Sequence, residues 1–271
     1  MQQISKGTTQ DNLSLEKLRR VKFSAPDYDT QLKIANILST YDELIENNIE
    51  RIKMLEQMAQ NLYKERFTFE KTKDKASVVR LGEIIQISRG LSYSSEEIDV
   101  DEGSNLINLK NIHAFGGFRR DGTKLYNGIY RPEQVVHSGD LIMGVTDMTQ
   151  DRRTVGHVAL IPKIYGVSVI SADLIKIISE FDNTFLFAMF KYGNVSRYIS
   201  QFANGANVLH LRPQAVLNTK VLMPPHDMID KYVHIAKPLF EEIEQLYQLN
   251  ENLIKQKELL MPRLMSGKLE V

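Results

Sequence analysis

The 271 residues are 42% hydrophobic and 25% charged, a composition typical of folded proteins that excludes disordered, collagen-like and low-complexity chains. The 34 basic residues balance the 34 acidic ones, so no overall charge draws the chain to nucleic acid or to an anionic membrane. The absence of cysteine excludes disulfides, thiolate metal sites and thiol nucleophiles. No stretch approaches the roughly 18 apolar residues of a membrane span, and we expect a cytoplasmic protein.

Two segments, residues 28–67 and 227–264, place apolar side chains at alternating steps of three and four, which predicts two long helices. A helix of about 40 residues is roughly 60 Å long, too long for a small domain, so each must pack lengthwise on a partner. We expect the two helices to pack on each other; the alternative is that each lies on its own globular core. Asn48 and Asn250 interrupt the stripes, either buried to fix the register or exposed to solvent. The expected interface residues are Leu38, Tyr41, Ile45, Ile52, Leu55, Leu62, Leu239, Ile243, Leu246, Leu253 and Leu260.

The two helical segments are similar to each other. An ungapped shift of 198 residues aligns Gly7 with Gly205 and Pro26 with Pro224, and it keeps the apolar register as far as Leu62 and Leu260. An ungapped match that preserves both the turn residues and the register indicates an internal repeat.

Short β-rich runs separated by Gly, Asn, Asp and Ser lie between the helices. They predict a globular α+β domain with strands at residues 78–88, 141–146, 155–162 and 174–178 and a helix at residues 183–200. Residues 68–77 are charged and are the expected linker.

No recognisable catalytic or metal-binding motif occurs in the sequence. A phosphate-binding Gly-rich loop ending in Gly-Lys-Ser/Thr is absent, and the six histidines lack the spacing of metal ligands. Asp140, Asp147 and Asp151 could form an acid–base or metal pair, but we interpret them as turn and loop residues around the strand that follows Gly139. We therefore expect no enzyme activity, no cofactor and no metal.

Four local clusters carry basic and hydrogen-bonding side chains, in residues 89–93, 110–131, 150–154 and 204–212. Lys and Arg suit phosphate contacts, while Arg pairs with guanine and Asn or Gln with adenine, so the clusters predict a surface that reads DNA bases. The alternative is a set of solvated loops, because residues 80–225 hold 15 basic and 14 acidic residues. The candidate DNA-binding residues are Arg89, Tyr93, Lys110, Asn111, Arg119, Arg120, Lys124, Arg152, Arg153, Asn207, His210 and Arg212.

Several short motifs, in this order and spacing, resemble the specificity subunits of type I restriction-modification enzymes. They are Gly7-Thr8-Thr9-Gln10, the helix entry at Pro26-Asp27, Gly139-Asp140-Leu141, Met223-Pro224-Pro225 and the ending from Leu264 to Leu269. The resemblance covers essentially the whole chain. It implies one target recognition domain and two long helices that form an antiparallel coiled coil, in a half-sized form with one complete recognition domain.

The resemblance also divides the chain. We expect residues 1–26 to be the tail of a first recognition domain, residues 27–67 the central helix, 68–77 the linker, 78–225 the recognition domain and 226–271 the distal helix.

A subunit of this kind implies partners rather than chemistry of its own. The resemblance implies double-stranded DNA, methyltransferase subunits, and a restriction or motor subunit. One recognition domain reads one half of a bipartite site, so we expect a homodimer or pairing with another half-subunit. The alternatives are a structural adapter that binds protein, and the silent product of a partial specificity gene that reads no DNA.

Overall fold

The computed structural model describes residues 15–22, 25–72, 74–98 and 100–271. The motif at Gly7–Gln10 and the first half of the expected N-terminal tail lie outside the described residues. The chain divides into two compact units, one formed by Met1–Asn47 with Leu249–Val271 and the other by Asn48–Gln248.

Two long helices begin where the repeat predicts them. A short helix α1 (Leu15–Arg19) precedes α2 (Tyr28–Arg66), and the chain ends on α8 (His226–Met265), so α2 and α8 start 198 residues apart. Asp27 caps α2 by accepting a 3.0 Å hydrogen bond from the Thr30 amide, and this bond lowers the pKa of Asp27. Pro224 and Pro225 directly precede α8, where the missing amide of proline costs no helical hydrogen bond.

In the first unit, the contacts between the two helices run in opposite directions along the sequence. Lys33 Nζ donates to the Val271 carbonyl at 3.3 Å, Asp42 pairs with Lys257, and Asn250 Nδ2 donates to the Ile45 carbonyl at 3.3 Å. Low numbers on α2 therefore meet high numbers on α8, which makes this pair antiparallel. Asn250 is only 6% exposed, so the buried alternative holds for this residue.

In the second unit, the same helices continue as an antiparallel pair. Ile52 and Leu55 pack with Ile243 and Leu246, and Arg51 pairs with Glu242 at 2.8 Å. Asn48 is likewise buried. The predicted coiled coil is confirmed here, and every expected interface residue is buried or half-buried.

The helices also pack on the central core. Leu62 on α2 and Leu239 on α8 pack against that core. This is the arrangement expected if each long helix lies on a globular core. Tyr232 is fully buried there, and its ring lies 5.7 Å from that of Tyr63 and 6.4 Å from that of Phe185. The core therefore needs residues of both long helices.

Short strands and helices build the central body between the long helices. Its helices are α3 (Phe69–Thr72), α4 (Leu81–Ile84), α5 (Asn183–Lys191), α6 (Val195–Ser200) and α7 (Pro213–Asn218). Its strands are β1 (Ser77–Arg80), β2 (Ile85–Arg89), β3 (Ser104–Ile107), β4 (Lys124–Tyr126), β5 (Val135–Val136), β6 (Leu141–Gly144), β7 (Thr146–Asp147), β8 (Val158–Leu160), β9 (Ser168–Ile170), β10 (Leu174–Ser179), β11 (Leu209–His210) and β12 (Lys220–Met223).

Two four-stranded sheets form the centre of this body. One is antiparallel with the order β2-β10-β6-β8, and the other has the order β4-β3-β9-β5 with a parallel β3–β9 pair. Strand β6 is buried on both faces, because Leu141 and Met143 face one apolar cluster while Ile142 faces another. Two further pairs, β1–β12 and β7–β11, complete the described sheet structure. The predicted α+β class is confirmed.

Two predicted elements are interrupted. The strand expected at residues 78–88 is broken by the turn of helix α4, whose Leu81 is fully buried, so that β1 and β2 join different sheets. The helix expected at residues 183–200 ends at Lys191, and Asn194 adopts a left-handed conformation with φ of 61° before α6 begins. A left-handed residue after a helix cannot continue it, which separates α5 from α6.

Candidate nucleic-acid interface

The loop after β6 is anchored by one buried carboxylate, Asp147. Its Oδ1 accepts from the Thr149 amide and hydroxyl, both at 2.7 Å, and its Oδ2 accepts from the Thr154 amide at 2.6 Å and the Val155 amide at 3.2 Å. Burial raises the pKa of Asp147, but these hydrogen bonds together lower it by more. The pKa therefore lies below the ordinary value of 3.8. The charged carboxylate thus fixes the segment that carries Arg152 and Arg153.

The segment around residues 204–212 lies beside this loop. Strands β7 and β11 are antiparallel with Leu209 opposite Asp147, and Gln150 Nε2 donates to the Ala206 carbonyl at 2.9 Å. Gly205 permits the tight turn, because a Cβ there would lie 1.9 Å from the Val208 carbonyl oxygen. Two of the four predicted clusters are therefore in direct contact.

The segment around residues 110–124 contacts the loop of Arg152 and Arg153 through backbone hydrogen bonds. The Phe115 amide donates to the Arg153 carbonyl at 2.7 Å, and the Gly117 amide donates to the Val158 carbonyl at 2.8 Å. Asn111 holds this segment in shape: its Oδ1 accepts from the Asn108 amide, and its Nδ2 donates to the Arg119 carbonyl, both at 2.9 Å.

The fourth cluster follows β2 at the same end of the central sheet. The Gly90 amide donates to the Leu174 carbonyl at 3.2 Å, beside the point where Thr146 Oγ1 donates to Asp173 at 2.8 Å. Tyr93 packs partly into an apolar cluster, and burial, with a smaller contribution from Asp173, raises its pKa. The structure thus brings segments of all four clusters together around one end of the sheet.

The candidate residues differ in how much of the side chain reaches solvent. Arg89, Lys110, Asn207, His210 and Arg212 are exposed. Arg119 and Arg153 are also exposed, but each pairs closely with an acidic neighbour, Asp121 and Asp151 respectively. Tyr93, Lys124 and Arg152 are half-buried.

Two of the candidate DNA-binding residues, Asn111 and Arg120, face the interior, so their predicted role is corrected. Asn111 is fully buried and its amide is occupied by the hydrogen bonds above, so it cannot read a base. Arg120 pairs with Glu244 and lies 5.2 Å above the ring of Tyr247, so it ties the central body to α8. The sequence did not indicate these structural roles, because both residues stand in a Gly-rich, basic segment whose composition is typical of an exposed loop.

Sequence reasoning missed Gln150 as a contact between two loops, and it missed that Lys191 and Arg197 lie beside Arg152. Lys191 and Arg197 lie on α5 and α6, which the sequence pattern predicted as one continuous helix. The Gly193-Asn194 pair was the available indication that the chain turns there.

The described residues hold no group of three or more His, Asp or Glu side chains arranged to bind a metal ion. Within those same residues, no helix has the length and apolar content to cross a membrane. Asp140, one of the three carboxylates weighed for such roles, pairs with Lys176 at 2.6 Å in the turn that leads into β6.

Comparisons with known proteins agree with this architecture. The family model "Type I restriction modification DNA specificity domain" matches residues 1–57. The type I restriction enzyme MjaIX specificity subunit of Methanocaldococcus jannaschii is 23% identical over 288 residues, covering 100% of this chain and 66% of the relative. The MjaVIII specificity subunit of the same organism is 23% identical, covering 98% and 66%.

Among solved structures, the type I restriction-modification S subunit from M. genitalium superposes with a TM-score of 0.62 at 15% identity, covering 97% of this chain and 68% of that one. This match shows that the fold is shared. The chain spans about two thirds of the length of the curated relatives it matches. The resemblance inferred from the sequence motifs is confirmed: along nearly its whole length, this chain is similar to type I restriction-modification specificity subunits.

Proposed function

We propose that this protein is a non-catalytic subunit that recognises a DNA sequence within a type I restriction-modification complex. The observation that carries the proposal is the meeting of four distant loop segments at one end of the central sheet, with Arg89, Asn207, His210 and Arg212 exposed. Arg and Asn are suited to base edges in the major groove, and loops on a rigid sheet hold them in a fixed arrangement. The central body would read one half of a bipartite site.

The long helices would serve as spacer and assembly surface. Both expose large apolar side chains in the first unit, Leu44 on α2 and Leu249 and Leu259 on α8, and exposed apolar residues in groups favour protein contacts. We assign this surface to methyltransferase subunits, with a restriction or motor subunit joining the complex in the cytoplasm. A homodimer, or a pair with another half-subunit, would supply the second recognition domain.

We propose the domain division expected from the sequence, with the recognition domain at residues 78–225 between two helical regions. Its core is completed by side chains outside these limits, notably Ala59, Tyr63, Tyr232 and Ala236. We therefore propose that this domain needs the adjoining helix segments to fold, back to residue 48 and on to residue 248.

The test is DNA methylation by a complex reconstituted with its methyltransferase subunits, mapped on genomic DNA. Arg212→Gln combined with Asn207→Ala removes two exposed side chains of one loop, and each lost base contact should weaken recognition roughly tenfold or more. Lys220→Gln is the matched control, since Lys220 is exposed on β12 outside these loops. We expect methylation at the recognised sites to fall for the double variant alone, with complex assembly unchanged.

Methylation at unchanged sites and levels in the double variant, with normal assembly, would favour a structural adapter instead. Size-exclusion chromatography with light scattering, on the chain alone and with the methyltransferase, tests the pairing. A strict monomer under both conditions would rule out the homodimer and the paired half-subunit.

A further inference from the structure

A pocket of about 550 Å³ opens beside the proposed DNA surface, between the loop at residues 151–157 and helices α5 and α6. The cations lining it are Arg152, Lys191 and Arg197, and the lining carboxylate is Asp151. Asp151 is already paired with Arg153 at 2.6 Å, so the pocket carries a surplus of positive charge. The loop packs closely on α6, because a Cβ on Gly156 would lie 3.0 Å from the Ser200 amide nitrogen.

Backbone strain is concentrated at this pocket. Within the described part of the chain, three residues other than glycine have a left-handed φ: Phe115 at 65°, Arg152 at 54° and Asn194 at 61°. All three line the pocket, although they come from three separate segments. Asn adopts this conformation readily, whereas Phe115 and Arg152 are strained, and strained residues tend to persist where the surrounding structure requires their geometry.

Buried polar atoms without a protein partner are concentrated in the same place. Five such side-chain atoms occur among the described residues, and Arg152 Nε, His157 Nδ1 and Ser196 Oγ belong to residues that line this pocket. His157 is 6% exposed and Ser196 2% exposed. The Arg Nε–H group can only donate, and the Ser hydroxyl can donate, so a ligand rich in acceptor oxygens would satisfy them.

Lys191 adds a cation that no described residue neutralises directly. Its Nζ lies 5.4 Å from the ring centroid of Phe187 and 5.8 Å from that of Tyr192, and it makes no hydrogen bond or ion pair with a described residue. Burial lowers its pKa, and Glu56 opposes this shift through space. Lys191 stands on the wall between this pocket and a neighbouring groove, where an anion would compensate its burial.

We propose that this pocket binds a phosphate group, held by Arg152, Arg197 and Ser196, with the charge of Lys191 on the wall shared with the neighbouring groove. Its position next to the loop of Arg152 and Arg153 favours a backbone phosphate of the DNA duplex, which would fix the register of the recognition loops on the DNA. This choice of source rests on the proposed function. A phosphate carried by a free nucleotide has the same chemistry, and the experiment separates the two sources.

The test uses the full chain and three probes: inorganic phosphate, adenosine monophosphate and a DNA duplex of random sequence. Binding of the small probes is measured by thermal unfolding against chloride at equal ionic strength and by ³¹P NMR. Duplex affinity is measured across a salt series. The variants are Ser196→Ala and Arg197→Gln, with Lys220→Gln as the control for a lost surface cation. Arg197 is exposed, so its replacement leaves the fold intact.

We expect inorganic phosphate to stabilise the wild type, and each pocket variant to weaken this effect roughly tenfold while the control retains it. For the duplex, Arg197→Gln should reduce the slope of log affinity against log salt by about 1. Loss of small-probe binding in the variants with an unchanged duplex slope would keep the pocket and identify a free phosphorylated ligand.

The proposal is overturned if neither small probe stabilises the wild type and the duplex slope is the same in all variants. That result would leave the proposed function intact, provided that the chain still binds DNA. Conversely, phosphate binding that depends on Ser196 and Arg197 in a chain that binds no DNA would support the pocket and contradict the proposed function.

Discussion

Replacing Asp147 by Asn tests how the loop that carries Arg152 and Arg153 is held. Asn keeps one acceptor oxygen, so it can accept either from the Thr149 amide and hydroxyl or from the Thr154 and Val155 amides, but not from both pairs. In either orientation two donors of the loop lose their acceptor at about 1–3 kcal/mol each, so we expect Asp147→Asn to destabilise the protein by about 2–6 kcal/mol. The measurement is urea unfolding followed by circular dichroism.

The control is Asp151→Asn in the same loop. Asp151 is exposed and pairs with Arg153 at the surface, so its replacement should cost less than about 1 kcal/mol. If Asp147→Asn costs no more than this control, the anchoring role of the carboxylate is refuted.

The low pKa of Asp147 gives the same prediction a pH dependence. A carboxylate whose pKa is lower in the folded than in the unfolded protein stabilises the fold above its unfolded pKa, and this contribution is lost as the pH falls through the folded pKa. We expect stability to fall as the pH drops below the ordinary value of 3.8, and Asp147→Asn to lose part of this dependence. The part that remains is expected from the other carboxylates with a lowered pKa, which are Asp27, Asp121 and Asp182. For Asp182, burial raises the pKa, but hydrogen bonds from Thr184 and Lys237 outweigh this effect.

Further substitutions test the core, the loops and the helix pair. Leu55→Asp puts a charge against the cluster of Ile52 and Ile243 and should destabilise the protein by roughly 3 kcal/mol. Met58→Asp, at a position 54% exposed on the same helix, should have little effect on stability. Chemical unfolding of both variants measures the difference. Tyr232→Phe removes a buried hydroxyl that has no described partner, and it should leave stability unchanged or raise it by about 1 kcal/mol; a lower melting temperature would contradict this. Asn111→Ala should destabilise the protein by about 2–3 kcal/mol, because the hydrogen bonds of its side chain are lost. Asn207 is exposed, so Asn207→Ala should change DNA binding and leave the unfolding midpoint unchanged.

Local sequence patterns predicted much of the fold correctly. The heptad stripes gave the long helices to within a residue or two at each end, because the period of apolar residues directly reflects which face of a helix is buried. The internal repeat predicted that the two long helices begin at equivalent positions. The break at Asn194 was missed, since the apolar pattern of α5 continues into α6 and only the conformation of one residue separates them.

The candidate site could be predicted only as a list of segments. The basic and amide side chains were visible in the sequence, but base-reading and structural side chains belong to the same residue types. Asn111 and Asn207 both stand in Gly-rich, polar segments, yet one is fully buried with its amide bonded and the other is exposed. Burial depends on which segments meet, and no local spacing encodes that.

The sequence by itself determined the helices, the α+β class and the family resemblance, because short-range periodicity and ordered motifs carry this information. Only the tertiary structure decided that Asp147 anchors the loop of Arg152 and Arg153, that Arg120 faces Glu244 on α8, and that Arg152, His157 and Ser196 surround one pocket. The physical reason is that hydrogen bonds, ion pairs and cavities form between residues far apart in the chain, so they exist only once the chain is folded.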